Sequence, residues 1–207
     1  MPMTNGSPVS PPQALAELLA GNERFVTGTR IHPHQDAERR AALAAVQNPF
    51  AVIFGCSDSR LAAEIIFDRG LGDLFVVRTA GHTIGAEVLG SIEYAVTVLQ
   101  TPLVVVLGHN SCGAVRAARE AVLHGTQATG HVRVLVDAIV PSVHEASRSV
   151  RDVDVDRVVE VHIRRTVEQL PRESAALSAA VARGRCAVVG MAYHLSAGRT
   201  RLLTSAD

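Results

Sequence analysis

The chain has 207 residues, 47% apolar and 19% charged, the composition of a folded globular protein rather than a disordered one. Twenty arginines balance twenty acidic residues and there is no lysine. A general electrostatic grip on nucleic acid or anionic membrane is therefore unsupported, and a Walker-type phosphate loop or a Schiff-base lysine is excluded.

In chain order, residues 1–10 are rich in Pro, Ser and Gly and read as a tail. With neither a basic stretch nor an apolar run there, no secretory leader is expected. Ser10-Pro11-Pro12-Gln13 is a helix-start pattern, with Ser at the cap and Gln three residues later. Leu15, Leu18, Leu19, Phe25 and Val26 then recur at helical spacing, a stripe that needs a surface to lie on. Residues 28–41, with His32-Pro33-His34, read as an irregular connection.

From Pro49 the pattern changes. Phe50–Phe54, Leu74–Val77, Leu103–Leu107 and Ala187–Gly190 are short unbroken apolar runs, which suit strands buried on both faces of a parallel sheet. Helical patterns separate them: Val88 to Leu99, Ser111 to His124 stopping at Gly125, and Val155 to Leu170. Thr200–Leu203 adds an edge strand. The fold class is α/β, a mostly parallel sheet of about four strands plus an antiparallel edge strand, flanked by helices. We read a single domain overall, with 1–41 as tail and helical arm and 42–207 as the α/β domain. No apolar run approaches the roughly 18 residues of a membrane span. Three cysteines are too few for a disulfide framework, which favours a reduced, cytoplasmic setting.

Two segments carry chemistry: Cys56-Ser57-Asp58-Ser59-Arg60 and His109-Asn110-Ser111-Cys112. Each follows a buried-strand pattern, where a doubly wound sheet places its ligands. If the pleat continues past Cys56, then Cys56, Asp58 and Arg60 share one side. Ser111 suits a helix cap, placing Cys112 in the first turn, where the helix dipole favours a thiolate. Two thiolates and an imidazole are a zinc-type donor set. Asp58 leaves two arrangements open. It binds the metal and closes the site, or it pairs with Arg60 and leaves a corner to water.

These residues resemble the β-class carbonic anhydrases. The resemblance rests on Cys56–Arg60, Phe75-Val-Val-Arg78-Thr-Ala-Gly81, Gly90-Ser-Ile-Glu-Tyr94-Ala and Gly108-His109-Asn-Ser-Cys112-Gly113, and is strongest over residues 45–120. It implies one Zn²⁺ per subunit on Cys56, His109 and Cys112, and reversible hydration of CO₂ to bicarbonate and a proton by zinc-bound hydroxide. Asp58 and Arg60 would be the gating dyad, with Asp58 a fourth metal ligand only in a closed state. Gln47 would orient substrate, and Phe75 and Tyr94 would wall the CO₂ pocket, one of them from a neighbouring subunit. The Gly113 backbone N–H would contact bicarbonate. The family implies a homodimer or dimer of dimers whose N-terminal helices embrace the partner. The regulated members use a tryptophan in a separate anion pocket; this chain has none, which favours the open site.

Of the remaining residues, Cys186 reads as a buried inert thiol, His32 and His34 as solvated, and Arg164-Arg165 as a solvated helix face. His82 is a candidate proton shuttle. Two rival functions share the ligands: the same chemistry on carbonyl sulfide or carbon disulfide, and a noncatalytic zinc-stabilised subunit or bicarbonate sensor.

Overall fold

The computed structural model describes residues 9–148 and 153–206, so the tail read over residues 1–10 lies, as far as residue 8, outside the described residues. Helix α1 (Pro11–Thr27) starts as its sequence dictates. The Gln13 side chain accepts from the Ser10 backbone N–H at 2.9 Å, and Gly28 ends the helix in the left-handed region at φ 72°. Its stripe finds a surface on its own chain. Ala14 and Leu18 are buried, while Leu19 stays 38% exposed. Gly21 allows the close approach, because a Cβ there would lie 1.8 Å from the Phe67 carbonyl oxygen. Asn22 completes the junction, donating to the carbonyls of Ile66 and Gly198 and accepting from the Thr200 N–H.

The stretch expected to be irregular holds a short helix, α2 (Ala37–Ala42), capped by Asp36 accepting from the Arg39 N–H. The sheet follows: β1 (Ala51–Cys56), β2 (Leu74–Thr79), β3 (Leu103–His109), β4 (Ala187–His194) and β5 (Arg199–Ala206), in spatial order β2-β1-β3-β4-β5. The first four are mutually parallel and β5 runs antiparallel to β4, as the apolar runs implied. Every residue of β1 and β3 is buried, which is why these strands show no polar alternation.

Helices α3 (Ala63–Ile66), α4 (Ala86–Thr97), α5 (Gly113–His124), α6 (Val132–Ala146), α7 (Val155–Glu173) and α8 (Ala175–Ala182) make the crossovers. Of these, α3, α6 and α8 were not legible. α6 carries Pro141 inside it and has no side-chain cap, so it lacks the usual start and stop signals. α7 packs on β3 and β4 where two glycines face it: a Cβ on Gly108 or Gly190 would come within 2.6 Å of the Ile163 side chain. Chain order reverses at β1, which is flanked by β2 on one side and β3 on the other. The crevice beyond the carboxyl ends of β1 and β3 is therefore the site this topology creates.

Candidate metal centre

β1 ends on Cys56 and β3 on His109, so both stand at that crevice. Cys112 arrives through a strained turn. Ser111 sits at φ 56°, so α5 begins one residue later than expected, with Cys112 rather than Ser111 at the cap. The turn is tied down from outside: the Ser111 N–H donates to Asp156 Oδ1 at 2.8 Å, and the Asn110 side chain accepts from the Leu195 N–H at 2.8 Å.

The donor atoms of Cys56, His109 and Cys112 all lie within 4.8 Å of one another, on three buried residues. The two sulfurs are 4.0 Å apart, far beyond the 2.05 Å or so of a disulfide and close to the roughly 3.8 Å between two thiolates on one tetrahedral zinc. His109 Nδ1 donates to the Asn110 carbonyl at 2.9 Å. That bond leaves Nε2 with a lone pair, and this buried nitrogen has no partner among the described residues. A buried acceptor without a partner is costly; a cation held jointly with the two sulfurs satisfies it. The thiols themselves compete for one proton. The Cys112 hydrogen bond, helped by the Gly81 N–H, pulls Cys56 down, while Cys56 and burial push Cys112 up. A soft divalent ion such as zinc replaces that proton and ionises both.

Asp58 reaches the cluster through a turn, not through a continued pleat. The Leu61 N–H donates to the Asp58 carbonyl at 2.9 Å, and the Arg60 N–H donates to Asp58 Oδ1 at 2.9 Å. The Arg60 guanidinium grips both carboxylate oxygens, Nε to Oδ1 at 2.9 Å and Nη2 to Oδ2 at 2.7 Å. Those bonds hold the Asp58 carboxyl far below the usual carboxylate range. Asp58 Oδ2 stands 3.9 Å from His109 Nε2, at the edge of the cluster and turned to Arg60.

A profile of the carbonic anhydrase family matches residues 51–200. Carbonic anhydrase 2 of Mycobacterium tuberculosis is 54% identical over 200 residues, covering 97% of this chain and 95% of its own. The chain belongs to the β-class carbonic anhydrases. The fold agrees. The structure of the Coccomyxa β-carbonic anhydrase in complex with acetazolamide superposes with a TM-score of 0.73 at 22% identity, covering 93% of this chain and 87% of its own. One of the two tetrameric β-carbonic anhydrases of Sordaria macrospora gives 0.72 at 22% identity, covering 93% and 98%.

Within one chain of this carbonic anhydrase, the residues matched to substrate binding are not all brought to the metal cluster. Gly113 is, as the first residue of α5, where backbone N–H groups lack helical partners. Phe75 is not. It pairs with Val52, four residues and about 13 Å along the sheet before Cys56. Tyr94 lies beside it within the same chain, ring centroids 6.3 Å apart. Tyr94 and Gln47 line a cavity of about 590 Å³ with Leu71, Val98 and Leu99, and none of the metal-cluster residues lines it.

His82 cannot shuttle protons to solvent. A backbone φ of 42° turns it inward, its side chain is buried, and burial keeps its pKa well below the ordinary histidine value. Cys186 is a buried thiol pushed up to about 12 by burial, and His34 pairs with the Asp73 carboxylate at 2.7 Å rather than standing free. Arg165 pairs with Glu145 at 2.7 Å.

Sequence reasoning missed three supports. Arg78, legible only as part of a motif block, donates to the carbonyls of Cys56 at 2.9 Å and Asp58 at 2.6 Å. Asp156 and the buried His162 had no local signal.

Proposed function

We propose that this carbonic anhydrase holds one zinc ion per chain on Cys56, His109 and Cys112 and hydrates CO₂ reversibly to bicarbonate and a proton. The observation that carries the reading is the partnerless His109 Nε2 beside two sulfurs 4.0 Å apart. When bound there, zinc lowers the pKa of water and so supplies a nucleophile near neutral pH. Two thiolates offset more of a divalent charge than imidazoles do, so activity is expected to rise on the alkaline side of neutral.

The chain's own groups do the rest. Arg60 keeps Asp58 ionised and turned from the metal, favouring an open fourth position. Asp58 Oδ2 then accepts a hydrogen bond from the attacking water and orients it toward the substrate carbon. The Gly113 N–H holds a bicarbonate oxygen at the positive end of α5.

Gln47, Phe75 and Tyr94 complete the site from a second copy of the chain, both rings entering together. Val46, Leu71, Tyr94 and Val98 are exposed apolar residues and all line the one cavity, a patch of the kind that marks an interface. On this reading the chain works as a homodimer, or a dimer of dimers. We read 42–207 as the domain carrying the metal and 1–41 as its arm. No described helix is long and apolar enough to cross a membrane, and three free thiols favour a cytoplasmic setting.

Stopped-flow CO₂ hydration, measured before and after chelation and after zinc is restored, at acidic and alkaline pH, tests the reading. Activity should track zinc and rise with pH. Full activity without metal, or bound zinc with no hydration at any pH, overturns it. Faster turnover of carbonyl sulfide or carbon disulfide than of CO₂ overturns the substrate.

A further inference from the structure

From Cys56 a chain of hydrogen bonds runs inward through three distant segments. The Gly81 N–H donates to Cys56 Sγ at 3.3 Å. The Gly81 carbonyl lies 3.0 Å from His162 Nε2, and His162 Nδ1 lies 2.9 Å from Ser142 Oγ. The direction of each bond is fixed by chemistry. A carbonyl only accepts, so Nε2 carries the hydrogen; a neutral imidazole has one N–H, so Nδ1 accepts from the serine hydroxyl. Burial keeps His162 neutral, pulling its pKa down to about 4. The hydrogen bond to Gly81 works the other way, and burial together with the Arg165 charge outweighs it. The other ring against His162 is the buried His82, with centroids 4.4 Å apart.

Gly81 is where such a tether matters. It takes φ 71° and ψ 20°, and a Cβ there would lie 2.7 Å from Ile139 Cδ1 and 2.9 Å from Ala114 Cβ, so glycine is required. The same residue is the one most able to swing. Its N–H and its C=O belong to adjacent peptide units joined at this Cα, and the carbonyl is held by His162.

We infer that His162 is a positioning residue for the metal centre: its Nε2–H pins the Gly81 backbone so that the Gly81 N–H stays on the Cys56 sulfur. This rests on the zinc reading proposed above. A hydrogen bond to a ligand thiolate holds its lone pair in register and withdraws charge from it, as outer-shell partners of metal ligands do. Without it, Cys56 is a less ordered ligand that offsets more of the metal's charge.

The test compares His162→Phe, which keeps a ring against His82 but has no N–H, with His162→Gln, which restores one, and with Ser142→Ala. In His162→Phe we expect zinc affinity, measured by chelator competition, to fall roughly tenfold. The thiolate-to-metal band of the cobalt-substituted enzyme should move to longer wavelength, and the alkaline midpoint of kcat/KM should move up. His162→Gln should sit near the wild type on all three, and Ser142→Ala in between. A folded His162→Phe with the wild-type band, midpoint and affinity overturns the inference, as does His162→Gln matching His162→Phe. If the phenylalanine variant does not fold, His162→Leu carries the same readings. Failure of the zinc reading itself is seen separately, as wild-type protein that neither takes up one cobalt per chain nor hydrates CO₂.

Discussion

On the solvent side of the metal centre the hydrogen bonds come from charged groups. Asp58 is 18% exposed and Arg60 55%, and Arg78 spans the carbonyls of Cys56 and Asp58. On the buried side they come from neutral ones: the Gly81 amide, the His162 imidazole and the Ser142 hydroxyl, with Ser142 and His162 buried. The difference follows from where each side can keep a charge. Near water an ionised pair is cheap to maintain, and deep in the core it is not. The outer side can therefore respond to substrate and to pH, while the inner side fixes the thiolate with dipoles that stay constant through the working range.

The sharpest way to break the arrangement is to remove what both sides share. Cys112→Ser should leave zinc content and CO₂ hydration at the level of the chelated protein, by metal analysis and stopped flow. The outer side alone is broken by Asp58→Asn. That variant should retain one zinc per chain while turnover falls about 100-fold or more, the scale of a positioned proton acceptor. Undiminished turnover would remove Asp58 from the mechanism.

The contrast between the two sides also explains what the sequence revealed. Cys56 and His109 stand at the ends of buried apolar runs and Cys112 one short turn later, and their residue types alone point to a soft metal. Asp58 and Arg60 were legible by spacing, although a turn rather than a pleat joins them. The inner side was not legible, because Gly81, Ser142 and His162 belong to separate elements and α6 gives little signal at either end. His82 misled for a related reason. Nearness in sequence to Gly81 says nothing of direction, and a positive φ turns the ring into the core. The placement of Phe75 depended on strand register, which a run of apolar residues in β2 does not encode.

A smaller effect on the outer side is expected from Arg78→Met. Losing the two bonds to the Cys56 and Asp58 carbonyls loosens the loop without removing a ligand or the dyad. Activity should fall roughly tenfold with zinc retained, as for other supports behind metal ligands. Arg78→Met with wild-type kcat/KM would show that the turn from Asp58 to Leu61 holds itself.

The inner side makes the smallest and most specific prediction, in stability rather than turnover. His162 has a folded pKa of about 4 against an ordinary value of 6.5, so between those values the unfolded chain binds the proton that the folded one refuses. Stability then rises with pH across that window and is lost as pH falls below about 6.5. Between pH of about 7.5 and 5.5 the loss from this one group is roughly 1 kcal/mol. Zinc-loaded His162→Gln lacks the group, so its unfolding free energy, from denaturant titrations, should fall by about that much less than the wild type over the same interval. Both proteins lose metal affinity together on acidification, because they share the same ligands, and the comparison cancels that common part. Parallel curves for the two proteins would mean that His162 takes up its proton over the same pH range folded as unfolded, so that burial does not hold it neutral against Ser142.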